Sequence, residues 1–166
     1  MLNTSAAPNA APTTNQKEVR TVFRTLFESG KANDFETMAT TIADDCEWVM
    51  MPNMQKFKGK AACVELCKKG KLSSDKTPDI MTDVATAEWG AFEYINNGTI
   101  TKDLVHLGAL DPSFKLTADD SALVGKKYSV AVCFVYRINA QGKIVQLHEY
   151  LDMEGLKKQF LPSPTA

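Results

Sequence analysis

The segment Lys143-Ile-Val-Gln-Leu-His-Glu-Tyr-Leu-Asp152 holds the residues best placed to do chemistry. In an extended strand, Val145, Leu147, Glu149 and Leu151 point to one side, and Ile144, Gln146, His148 and Tyr150 to the other. The first set is apolar except for Glu149. A carboxyl group among aliphatic side chains resists ionisation, so its pKa climbs toward neutrality, where general acids and bases work best. A lysine partner, or a place at an open rim, would account for Glu149 without chemistry. His148 falls on the opposite face and cannot cooperate with Glu149. With Gln146 and Tyr150 it reads as an outer or subunit-contacting surface. His106, near Asp103, reads as a solvated loop histidine or part of a lid. Glu93 shares a strand face with Ala91, Ile95 and Asn97 and is a second acid candidate.

The elements that must position these groups fall into two regimes. Val19, Val22, Phe23, Leu26 and Phe27 repeat at helical spacing, and Gly30 follows as a stop. Asn33 with Glu36 has the spacing of a capping box, opening a second helix with Phe35, Met38 and Ile42 inward. Cys46 to Met51 reads as a short strand ended by Pro52, and Gly59 precedes a third helix over Lys60 to Lys69, closed by Gly70. Trp48 and Met50 share a face of that strand, and an inward indole needs an acceptor for its N–H.

The pattern then alternates, giving strands at Ile80–Glu88, Ala91–Thr101, Tyr128–Ile138 and Lys143–Leu151. Asn139-Ala-Gln-Gly142 forms the hairpin turn between the last two. Residues 102–127 are a lid or hold a short element. Helices first and an antiparallel sheet afterwards indicate an α+β fold, with helices on one face of a curved sheet.

Composition narrows the class. In 166 residues, 19 Lys and Arg nearly balance 20 Asp and Glu, so no charge excess points to nucleic acid or an anionic membrane. No apolar run approaches the ~18 residues of a membrane span. Residues 1–16 and 161–166 are rich in Pro, Ala, Thr and Ser and read as disordered tails around one domain, 17–160. With no secretory signal, Cys46, Cys63, Cys67 and Cys133 read as reduced thiols of a cytoplasmic protein. Cys63 and Cys67 are spaced to share a helix face. With two histidines in all and no CxxC, however, core packing explains them better than zinc.

The chain resembles the nuclear-transport-factor-2-like superfamily, in its SnoaL-like polyketide cyclase and limonene-epoxide-hydrolase-like branch. The resemblance rests on Glu47-Trp-Val-Met-Met-Pro52, Gly59-Lys-Ala-Ala62, Phe92-Glu-Tyr-Ile-Asn-Asn-Gly-Thr99 and Gly142 to Asp152, followed by Leu156 and Gln159. It implies a cone-shaped barrel in which a strongly curved, mostly antiparallel sheet wraps N-terminal helices around an apolar pocket. It also implies a homodimer through the sheet face, and no cofactor. The family's catalytic carboxylate on the final strand falls at Glu149, where Asp is more usual. The pocket walls implied are Trp48, Met50, Val130, Val132, Leu147, Leu151 and Leu156.

Some family partners are missing. Arginine occurs only at Arg20, Arg24 and Arg137, so the epoxide-hydrolase Asp-Arg-Asp arrangement cannot form. Trp48 and Met50 stand where its water-positioning tyrosine and asparagine would be. The first tyrosine is Tyr94, so the first helix offers no ketosteroid-isomerase-like donor. The expectation is an enzyme using Glu149 as general acid/base on an apolar or polyketide-like substrate, by isomerisation, cyclisation or dehydration. The alternative is a non-catalytic module that binds a small hydrophobic ligand or a protein. Nuclear transport, the activity that names the superfamily, has no charge or motif in its favour.

Overall fold

A computed structural model describes residues 14–69, 78–102, 105, 108, 112 and 115–160. His106, Asp103, Gly70 and the tail residues 1–13 and 161–166 lie outside the described residues. The first helix, α1 (Thr14–Ala32), begins at Thr14, so residues 14–16 belong to a helix rather than to the expected tail. Val19, Phe23 and Leu26 form its buried stripe, flanked by partly buried Val22 and Phe27.

The helix does not stop at Gly30. Asn33 takes the left-handed conformation (φ 61°) past the helix end. There the Asn33 N–H donates to the Gly30 carbonyl (3.2 Å) and the Asp34 N–H to that of Ser29 (2.9 Å). These two bonds close a Schellman motif. The cap of α2 (Phe35–Thr40) is therefore Asp34, not Asn33, and its Oδ1 accepts from the Thr37 N–H at 3.0 Å.

The sheet has six strands: β1 (Ile42–Met50), β2 (Gln55–Lys58), β3 (Asp79–Ala85), β4 (Trp89–Thr99), β5 (Lys127–Ile138) and β6 (Ile144–Leu151). Their spatial order is β2-β1-β6-β5-β4-β3, with β2 and β3 at open edges. Every neighbouring pair is antiparallel except β1–β6. The sheet is thus mixed and not closed. Helix α3 (Lys60–Lys69) follows β2, and α4 (Met153–Lys158) follows β6. β1 starts four residues before the expected strand, and β2 was not anticipated at all, because Gln55-Lys-Phe-Lys58 carries one apolar residue in four. The β5–β6 turn matches expectation. Asn139 Oδ1 accepts from the N–H groups of Gln141 (3.1 Å) and Lys143 (2.9 Å), and Gly142 takes a positive φ of 68°.

One face of the sheet carries the core. Along β4, Gly90, Phe92, Tyr94, Asn96 and Gly98 are buried, and along β5 Tyr128, Val130, Val132, Phe134, Tyr136 and Ile138. α1 meets this face through aromatic rings. Phe23 stacks on Tyr136 at 4.3 Å and tilts onto Phe92 at 5.1 Å, and Phe27 meets Tyr94 edge-on at 4.9 Å. Such pairs add ~0.5–1.5 kcal/mol each beyond their buried area.

β6 departs from simple alternation. Opposite β5, Ile138 pairs with Ile144 and Arg137 with Gln146, which leaves Val145 as an extra residue in a bulge. Ile144 is therefore fully buried and Val145 only half-buried, the reverse of the expected assignment. Downstream of the bulge the alternation holds, so Leu147 and Glu149 face the core side while Gln146, His148 and Tyr150 face outward.

Gly90 lies beneath the Tyr136 ring, and a Cβ there would stand 2.2 Å from the Tyr136 Cζ. Tyr136 is fully buried against Phe23 and has no room to withdraw. Gly90→Ala is expected to cost ~1–3 kcal/mol, read as a lower urea midpoint. An unchanged midpoint would show that the ring is not held there.

Candidate active site

Four strands bring the site together. In the β1–β6 register, Trp48 opposes Leu147 and Met50 opposes Glu149, and all four face the same side. From there, Trp48 Nε1–H donates to Glu149 Oε2 at 3.0 Å. On the other flank Phe134 of β5 opposes Glu149 and packs edge-on against the Trp48 indole (6.0 Å, 81°). Tyr94 of β4 stacks parallel to Phe134 at 6.3 Å between ring centres. Cys67, on α3, lies within reach of Glu149's field.

The electrostatics follow from this packing. Loss of hydration pushes the Glu149 carboxyl from 4.5 up to about 7, and the Trp48 hydrogen bond, which favours the carboxylate, limits the rise. Burial first, and the Glu149 charge second, push the Tyr94 phenol well above its ordinary range. The same two causes push the Cys67 thiol up. Both stay protonated at neutral pH. Among the described residues no other hydrogen bond reaches the Glu149 carboxyl group, so Oε1 remains available to a ligand. The site therefore holds one carboxyl group poised to exchange a proton and one neutral phenol able to donate a hydrogen bond.

The other expected wall residues divide. Trp48, Met50, Val130, Val132, Leu147 and Leu156 are buried in the core cluster, and Leu151 packs half-buried against it. Glu93 is not brought to Glu149. It opposes Cys133 on the outer face of the sheet and accepts a hydrogen bond from Thr82 Oγ1 at 3.0 Å. His148 also lies outside, 3.0 Å from the Gln146 amide nitrogen. Arg137 is outward too, over the Trp89 ring.

Tyr94 was not singled out as a candidate donor because a donor was sought only on the first helix. The signal was present, since Tyr94 shares Phe92's parity and not Glu93's. Among the described residues no group of three or more His, Cys, Asp or Glu could hold a metal, and no helix is long and apolar enough to cross a membrane. A cleft of about 410 Å³ lies elsewhere, lined by Asn97, Thr99, Lys127, Tyr128, Ser129 and Gln159 among others. It contains none of Glu149, Trp48 and Tyr94.

No family model matches the chain, and no curated protein matches its sequence. Solved structures do match. A proposed polyketide cyclase from Xanthomonas campestris superposes with a TM-score of 0.68 at 15% identity, over 88% of this chain and 98% of that one. An NTF2-like protein from Burkholderia xenovorans gives 0.59 at 17%, over 86% and 95%. A proposed ketosteroid isomerase from Kribbella flavida gives 0.59 at 12%, over 92% and 87%. At these identities the likeness is one of fold, and the fold is the NTF2-like α+β cone.

The raised carboxyl has a cost. Where the folded pKa exceeds the unfolded one, ionisation favours unfolding, so stability falls as pH rises from 4.5 through about 7. Glu149→Gln keeps an acceptor for Trp48 and removes this penalty. It is expected to raise the melting temperature at pH 8, by at most about 3 kcal/mol of stability, with the gain vanishing below pH ~4.5. A gain equal at pH 4 and pH 8 would contradict the desolvated carboxyl.

Proposed function

We propose that the protein is an enzyme that moves a proton on a small, uncharged, largely apolar molecule, with Glu149 as the general acid/base. The observation that carries this reading is the Glu149 carboxyl, held by the Trp48 indole at 3.0 Å and desolvated to about 7. A base of that pKa is half ionised at neutral pH and can both accept and return a proton. Trp48 occupies Oε2 and so leaves Oε1 to face the ligand. Met50, Phe134 and Tyr94 supply apolar walls.

The chemistry that fits is removal of a proton from carbon beside a carbonyl group. As the proton reaches Glu149, charge builds on the carbonyl oxygen. A phenol such as Tyr94, too deeply buried to ionise, can donate a hydrogen bond to that oxygen. Returning the proton to another carbon gives an isomerisation. Attack of the enolate on a second carbonyl, whose oxygen takes the proton back from Glu149, gives a cyclisation, and loss of a β-hydroxyl as water, with that same proton, gives a dehydration. The likeness in fold to a proposed polyketide cyclase and a proposed ketosteroid isomerase supports proton transfer of this kind. Among the described residues no cation is hydrogen-bonded or ion-paired to Glu149, which disfavours an anionic substrate, and the apolar walls favour one without charge.

The test is deuterium uptake from D₂O into a panel of neutral cyclic ketones, followed by NMR. The wild-type protein is expected to accelerate exchange, with a rate that rises with pH through about 7. Glu149→Gln is expected to lose ~10²–10⁴-fold of that acceleration. Trp48→Phe removes the bond that favours the carboxylate, so it should move the midpoint of the profile to higher pH. Exchange that is unaffected by Glu149→Gln would overturn the assignment. Tight ketone binding without any exchange would instead point to a binding module.

A further inference from the structure

Toward the β3 edge of the same face of the sheet, three buried polar atoms have no protein partner among the described residues. They are Arg20 Nε, Asp83 Oδ1 and the Tyr136 hydroxyl. Chain position and strand register bring the three to one region of the fold. Arg20 and Arg24 lie one turn apart on α1, and Arg24 grips Asp83 Oδ2 from Nη2 (2.5 Å) and Nε (2.6 Å), leaving Oδ1 over. The Tyr136 ring crosses above Gly90, and Gly90 pairs with Ala85, two residues from Asp83 on the same strand and face. The phenol senses all three charges: Asp83 opposes its ionisation, while Arg20 and Arg24 ease it.

The hydrogen-bonding inventory defines what fits between them. Arg20 Nε–H can only donate, Asp83 Oδ1 can only accept, and the Tyr136 hydroxyl can do either. A cation would face two guanidinium groups, and an anion would face the Asp83 carboxylate. A neutral molecule with both donor and acceptor capacity satisfies all three atoms. All three atoms are closed to solvent, so the molecule must be small. We infer that Arg20, Asp83 and Tyr136 enclose a binding site for one structural water molecule, which ties α1 to the β3 side of the sheet. The water accepts from Arg20 Nε, donates to Asp83 Oδ1 and forms its third bond with Tyr136. Three partners is the usual number for an internal water, which is retained as part of the fold.

This inference is independent of any role for Glu149. It is tested by a high-resolution crystal structure of the wild-type protein together with the thermal midpoint of Tyr136→Phe. Phenylalanine keeps the stack on Phe23 and removes only the hydroxyl. The expected result is one ordered water within hydrogen-bond distance of all three atoms. The variant is then expected to melt a few degrees lower, because it takes one partner from a satisfied site. A direct Tyr136–Asp83 hydrogen bond with no intervening water would overturn the inference. So would a dry gap, with the phenylalanine variant at least as stable as the wild type.

Discussion

A single 3.0 Å hydrogen bond joins residues 101 positions apart, and the geometry of the candidate site depends on it. Glu149 on β6 is a half-buried residue whose carboxyl is desolvated against the core, and the Trp48 indole is the group that partly compensates. The bond exists because β1 and β6 run parallel, the one such pairing in the sheet. In that register Met50 stands directly opposite Glu149, and Trp48 is two residues back on the same face. The indole is therefore bonded to Oε2 from two residues back along β1, and no bond to Oε1 is made by the described residues. The remaining strands and helices hold this geometry dry.

That dryness comes from an aromatic layer. Phe134, Phe92 and Tyr94 are shared between α1 and the middle of the sheet, with Phe23 and Phe27 closing them from above. The layer does two jobs at once. It packs the helix against the sheet, and it excludes water that would otherwise hold the Glu149 pKa in the ordinary carboxylate range.

How much of this was legible in the sequence depended on how far each feature reaches along the chain. Glu149 stood out because its burial can be read from Leu147 and Leu151, two residues away on either side. The β5–β6 turn was equally local. Ile144 and Val145 were assigned to the wrong faces because the bulge is set by pairing with β5, which no local alternation reveals. The Asn33–Asp34 junction was displaced by one residue for a similar reason. Asn33 serves the end of α1 and so is not free to cap α2. Trp48's need for a partner was readable, but the partner was not, since only the parallel register brings Glu149 to it. Glu93 shows the limit of composition as a guide: an acid on a central strand is a candidate only if its parity matches the core, and its neighbours Phe92 and Tyr94 took that side.

One row of residues makes the chemical logic explicit. Across β3, β4, β5, β6 and β1, the register aligns Asp83, Phe92, Phe134, Glu149 and Met50 on the core face. Two carboxyl groups thus share a row, with two phenylalanines between them. Asp83 meets the Arg24 guanidinium in a two-point contact, which anchors α1 to the sheet's edge. Glu149 meets only an indole N–H and apolar walls. The desolvated carboxyl sits where a proton is exchanged at almost no free-energy difference near neutral pH. What separates a structural carboxylate from a candidate catalytic one in this row is the neighbour, and the neighbour is fixed by sheet register rather than by residue type.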